Sequence, residues 1–92
     1  MAGLLKTADV QARLAKLGSW KLKGDQIERR FEFKDFREAM RFVNSVADEA
    51  EKVDHHPDIT INFNKVTLTL STHDAGGLTE KDFGLARDID FI

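Results

Sequence analysis

Between Ile59 and Leu70, apolar and polar residues alternate on both sides of Asn64-Lys65. No other pattern in the chain constrains the fold as much, because a period of two sends alternate side chains to opposite faces of a strand. Asn64-Lys65 can serve as a two-residue hairpin turn. The register that follows sets Phe63 opposite Val66, Ile61 opposite Leu68 and Ile59 opposite Leu70, all on one face. Asn62 with Thr67 and Thr60 with Thr69 fall on the other face. A slip of one residue would mix the two sets. Strands are therefore expected over 59–63 and 66–72. Extended backwards, this register brings Asp58 opposite Ser71 and His56 opposite His73. Directly paired Cβ atoms lie roughly 4.5–5.5 Å apart. Pro57 and the exit from a preceding helix can distort this end, so the expectation is a shared neighbourhood more than a strict pair.

The rest of the chain supplies what such a hairpin packs against. Val10, Leu14 and Leu17 share one face of a helix over 7–17, with Thr7 able to cap its start and Gly18 its end. Trp20 and Leu22 alternate with Lys21 and Lys23 in a short strand, and Gly24-Asp25 marks a turn. Ile27, Arg29, Phe31 and Phe33 give the next strand one largely apolar face. Asp35 with Glu38 resembles a capping box, and Phe36, Ala39, Met40, Val43, Val46, Ala47, Ala50 and Val53 recur at helical spacing. This helix should end near Asp54, before Pro57. Gly76-Gly77 is a flexible corner. Thr79 and Asp82 match a capping box for a last helix that carries Phe83, Leu85, Ala86 and Ile89. The order α-β-β-α-β-β-α points to an α+β domain, a four-stranded antiparallel sheet with helices packed on one face.

Composition narrows the class. The chain has 92 residues, 41% of them apolar, and reads as a single domain over 1–92. A domain this small buries only roughly 60% of its unfolded surface, which favours a partner, and a homo-oligomer is expected. There is no cysteine, so disulfides, thiolate metal sites and cysteine nucleophiles are excluded. The formal net charge is −2 with the signs interleaved, unlike the basic stripe of a nucleic-acid binder. MAGLLKTADV is too short in apolar residues for a signal peptide, and no segment approaches the ~20 apolar residues of a membrane span. A soluble cytoplasmic domain is the expectation.

All three histidines, His55, His56 and His73, lie at the two ends of the proposed hairpin. Solvated histidines at a polar sheet edge are one reading. A metal site is another, since imidazole is a common ligand. Against it, adjacent residues such as His55 and His56 point to opposite sides of a strand, and no HxH or HxxxH spacing occurs. The third reading is acid–base chemistry. Free imidazole titrates near pH ~6.5 and can accept or donate a proton at neutral pH. Two such groups flanking a substrate suit a dehydration or isomerisation that needs no cofactor. Glu51, four residues before His55, would share its helical face and could orient its ring. Asp82 reads as a capping residue, not a catalytic one.

The run EKVDHHPDITINFNKVTLTLSTHDAGGLTEKDFGLA resembles the pterin-4a-carbinolamine dehydratases. The shared elements are Glu51, Asp54-His55-His56-Pro57, Phe63 in the aromatic position, Asn64-Lys65-Val66, Ser71-Thr72-His73, Gly77-Leu78-Thr79 and Asp82. Gly18-Ser19-Trp20 and Phe33-Lys34-Asp35-Phe36 extend the likeness upstream, so that it covers residues 7–92. The resemblance implies a hydro-lyase, removing water from 4a-hydroxytetrahydrobiopterin to give quinonoid dihydropterin and so recycling the cofactor of aromatic amino acid hydroxylases. It implies His55, His56 and His73 as catalytic residues, with His55 and His73 the general acid/base pair and His56 helping to hold the substrate. Glu51, Asp54, Pro57, Ser71, Thr72 and Asp74 join the three histidines as pterin-binding residues. No metal or other cofactor is implied, and dimers and tetramers are its precedents. Ile59 and Phe63 stand where the family often has Trp and Tyr. The alternative on the same fold is a non-catalytic interaction or dimerisation module of the transcriptional coactivator type.

Overall fold

The computed structural model describes residues 3–92; Met1 and Ala2, the start of the expected 1–92 span, lie outside them. Helix α1 (Thr7–Leu17) is followed by β1 (Lys21–Lys23), β2 (Gln26–Glu32), helix α2 (Phe36–Val53), β3 (Asp58–Asn62), β4 (Lys65–Leu70) and helix α3 (Glu80–Asp90). The strands form one antiparallel sheet in the order β1-β2-β4-β3. The α+β expectation and its element order hold. One face of the sheet carries Ile27, Val66, Leu68 and Leu70, all fully buried, against which Val46, Ala50, Phe83, Leu85 and Ile89 of the helices pack. Each large side chain buried this way contributes about 1.5–3 kcal/mol relative to an exposed one. The opposite face presents Arg30, Thr67 and Thr60 side by side and has no apolar stripe.

The hairpin register differs from expectation. Ile59 faces Leu68 and Ile61 faces Val66, a shift of two residues. The faces are conserved, because a two-residue shift preserves the alternation. Phe63-Asn64, not Asn64-Lys65, makes the turn. The cause is Asn64: its side-chain Nδ2 donates to the Phe33 carbonyl at 2.7 Å, and its own carbonyl accepts from Phe33 N–H at 2.8 Å. These bonds tie the hairpin tip to the end of β2. Phe63 then takes φ 54°, uncommon for a bulky residue, and its ring is exposed. Pairing stops at Asp58 with Thr69, so the expected apposition of His56 and His73 through the ladder does not occur.

Local rules explain the helix ends, with one correction. Thr7 is inside α1, whose N-cap is Lys6 with no side-chain cap. Asp35 caps α2 by accepting from Glu38 N–H at 2.8 Å, while Glu38 reaches Lys34 N–H instead of closing the box. Thr79 and Asp82 form the full reciprocal capping box on α3. At the far end of α2, Asp54 adopts the left-handed conformation, φ 50° and ψ 45°. Asp54 N–H bonds the Glu51 carbonyl and His55 N–H bonds the Ala50 carbonyl, the two bonds of a Schellman motif. This motif turns the chain sharply off the helix and sets His55 at its exit.

Candidate active site

His55 is placed by the backbone just described and held by its ring. Its Nε2 lies 2.7 Å from Asp82 Oδ1, and the His55 side chain is largely buried while Asp82 is wholly so. The second oxygen of the carboxylate accepts from Thr72 Oγ1 at 2.8 Å and from Thr79 N–H at 2.9 Å. Thr72 and Thr79 are also buried, with their hydroxyls 2.8 Å apart. Among the described residues no buried side-chain nitrogen or oxygen lacks a partner. A carboxylate has only lone pairs to offer, so the protons in this cluster belong to the groups around it. With Asp82 ionised, the proton between them belongs to Nε2, and a neutral ring keeps its lone pair on Nδ1.

His73 enters the cluster through its neighbour. Thr72 is locked on both sides by backbone bonds to Gly77, its N–H to the Gly77 carbonyl at 2.8 Å and the return bond at 3.3 Å. Between them His73–Ala75 forms a single 3₁₀ turn, closed by Gly76 at φ 78° with its N–H on the His73 carbonyl. The left-handed φ favours glycine there. His73 is exposed at the start of this turn, directly after the residue that shares Asp82 with His55. Asp82 thus bonds the His55 ring directly and the residue before His73 through Thr72, and strand pairing joins neither histidine to the other.

His56 takes a different partner. Its Nε2 is 2.5 Å from Glu51 Oε2, and both side chains are exposed. Glu51 was expected to orient His55, on the premise that the helix continues to residue 55. The Schellman turn at Asp54 ends the helix first and swings His56 towards Glu51. Among the remaining expected site residues, Pro57 and Ser71 are half-buried, Asp54 and Asp74 are exposed, and Thr72 has its hydroxyl committed internally. A groove of about 800 Å³ between α2 and the end of α3 takes in Glu51, Asp48, Asp88 and Phe91, but among the described residues its walls include no histidine. Among the described residues no group of three or more His, Asp or Glu side chains is arranged to hold a metal ion.

Asp82 is legible in the sequence as a capping residue, but its bond to His55 is not. The capping box uses Oδ2 alone, and the free Oδ1 was the available signal. Nothing in the spacing of residues 55 and 82 says that this oxygen meets a histidine.

The geometry defines a class: a small α+β domain with an imidazole oriented by a buried carboxylate and two further histidines nearby in the chain. The chain belongs to the pterin 4 alpha carbinolamine dehydratase family, whose model matches residues 3–92. It is 52% identical over 90 residues to a protein of Picosynechococcus sp., covering 98% of both chains, and 57% identical over 83 residues to one of Acidobacterium capsulatum, covering 90% of both. Both carry pterin-4-alpha-carbinolamine dehydratase as a provisional name. Its fold matches that of a transcriptional coactivator/pterin dehydratase from Brucella melitensis at a TM-score of 0.90 and 38% identity, over 95% of each chain. It also matches a pterin dehydratase-like RuBisCO assembly factor of the alpha-carboxysome at a TM-score of 0.68 and 25% identity, over 79% of this chain and 87% of that one. Among the described residues no helix is long and apolar enough to cross a membrane.

Proposed function

We propose that the protein dehydrates a pterin-4a-carbinolamine, 4a-hydroxytetrahydrobiopterin in the family's reaction, to the quinonoid dihydropterin and water. The observation that supports this most is the shared carboxylate: Asp82 pairs with the His55 ring and, through Thr72, anchors the turn that bears His73. In this reading His55 and His73 act as general acid and base. One protonates the 4a-hydroxyl, which leaves as water with its bonding pair. The other takes the proton from the ring nitrogen, whose electron pair forms the new C=N bond. No electrons enter or leave, and each group would supply typically ~10²–10⁴-fold. His56, oriented by Glu51, holds the pterin, and Asp54, Pro57, Ser71 and Asp74 border it. The setting is cytoplasmic, and the working form is a homo-oligomer.

The test is the rate of quinonoid dihydropterin formation from enzymatically generated carbinolamine, with and without the protein. Acceleration that survives extensive chelation supports the reading. Acceleration lost on chelation and restored by one divalent metal would replace it with a metal-dependent mechanism.

A second reading has its own observation. Ile59 and Ile61 on the edge strand β3 and Phe63 in the turn after it are exposed apolar side chains, and one structural neighbour is an assembly factor. On that reading the fold is an interaction module. A protein that leaves the carbinolamine untouched, while changes at Ile59 or Ile61 alter its associations, would favour it.

A further inference from the structure

We infer that Thr72 is a positioning residue: its hydroxyl holds Asp82 in the orientation that fixes the tautomer of His55. This rests on the proposed dehydratase reading for its kinetic consequence, but not for its structural one.

The direction of each bond follows from the donors available. Asp82 accepts only, so the Thr72 proton points to Oδ2. With that proton spent, the contact between the two threonine hydroxyls must run from Thr79 to Thr72. Thr79 Oγ1 then keeps a lone pair for the Lys81 N–H at 3.2 Å, the helix-capping bond. The chain of donors thus runs Lys81 N–H to Thr79, Thr79 to Thr72, and Thr72 to Asp82. Thr79 N–H arrives at the same Oδ2 from the other side. Two donors saturate Oδ2 and stop the carboxylate from rotating. Oδ1 is left with one partner, His55 Nε2–H.

The consequence is chemical. A carboxylate free to rotate can swing Oδ1 away from Nε2, and a histidine released from that contact can present either ring nitrogen, because its two neutral tautomers lie close in energy. Here Nε2 is committed as a donor, so Nδ1 alone takes up and releases the working proton. Thr72 does this from a buried position and with a backbone clamped to Gly77. Its hydroxyl is not free to bond a substrate, and its contribution passes through Asp82.

The experiment measures two quantities on the full chain. Long-range proton–nitrogen NMR reads the tautomer of His55 directly, and steady-state kinetics separates kcat from KM. Wild-type protein should show His55 as the single Nε2–H tautomer when neutral. Thr72→Val removes the donor at nearly constant volume. It should give mixed tautomers and lower kcat by roughly tenfold, the low end of what outer partners of a functional histidine supply, with KM changed less than about twofold. Thr72→Ser should restore both readouts. Should Thr72→Val fail to fold, Thr72→Cys, with its weak S–H donor, should show the same tautomer mixing in milder form. A single unchanged Nε2–H tautomer in the valine or cysteine variant would overturn the inference, as would a serine variant no better than valine. The NMR arm is independent of the dehydratase reading. If the wild-type protein were inactive on the carbinolamine, mixed tautomers would still support the role of Thr72 and an unchanged one would still refute it.

Discussion

Two histidine–carboxylate pairs sit one residue apart in this chain and differ in almost everything but chemistry. His55 and Asp82 lie 2.7 Å apart with side-chain exposures of 11% and 0%. His56 and Glu51 lie 2.5 Å apart with exposures of 56% and 74%. The shorter contact is the weaker one. Between solvated charges attraction is screened, and ordering two mobile side chains offsets most of it, so such pairs contribute about 0–1 kcal/mol. The buried pair is kept from water, and a hydrogen bond to a charged group contributes about 1.5–3 kcal/mol. It also carries two further hydrogen bonds on the same carboxylate. Environment, not separation, decides which ring is held in place and which can move.

The comparison is easiest to break at Asp82. Asp82→Ala strips the acceptor from His55 Nε2–H, the Thr72 hydroxyl and Thr79 N–H at once, and opens the capping box of α3. A buried donor left without its partner costs about 1–3 kcal/mol, and three lose theirs here, so a loss of several kcal/mol is expected. That is a large share of the ~5–15 kcal/mol that a small domain has in total. Urea melts should show the loss as a lower midpoint. A change of less than about 1 kcal/mol would mean that the buried pair is no stronger than the exposed one, and the contrast would collapse.

Activity sharpens the same contrast. His55→Ala and His73→Ala should each lower turnover on the carbinolamine by about 10²–10⁴-fold, the usual range for a general acid or base. The double variant should lose less than the product of the two, since residues that act as a unit are not additive. His56→Ala should act mainly on KM. Equal losses of kcat at His55 and His56 would show that the buried and exposed rings do the same work.

Much of the fold was legible in the sequence and neither pair was, for physical reasons. Alternation between Ile59 and Leu70 and the helical spacing from Ala39 to Ala50 encode local periodicity, and the α+β order follows from them. The register was misread by two residues because Asn64 bonds to Phe33, a residue 31 positions away, and no periodicity reports such a contact. Thr79 and Asp82 were legible as a cap because a capping box is a local motif. The second bond of Asp82 spans 27 residues and was not. Glu51 was placed beside the wrong histidine because the left-handed turn at Asp54 depends on one backbone conformation that aspartate tolerates but does not announce. The three histidines stand out in the sequence by their type and their places at the hairpin's ends, but the partners of their rings do not.

The smallest expected effect lies at the exposed pair. Glu51→Gln keeps the shape and a hydrogen-bond acceptor while removing the charge beside His56. In a solvated pair this should change stability by less than about 1 kcal/mol, and added salt should reduce even that difference, because charges on the surface are screened over a Debye length of ~10 Å at 0.1 M. The effect on KM should be correspondingly modest. The informative outcome is the opposite one. If Glu51→Gln were to cost several kcal/mol, His56 and Glu51 would have to be out of water in the working protein, since a pair this exposed in the single chain has no other way to lose solvent. A second copy covering this end of α2 would provide that burial. Light scattering behind a sizing column would then show the variant dissociating to single chains at concentrations where the wild type stays associated. An unchanged mass together with a small stability change would leave His56 as an exposed surface histidine paired with Glu51.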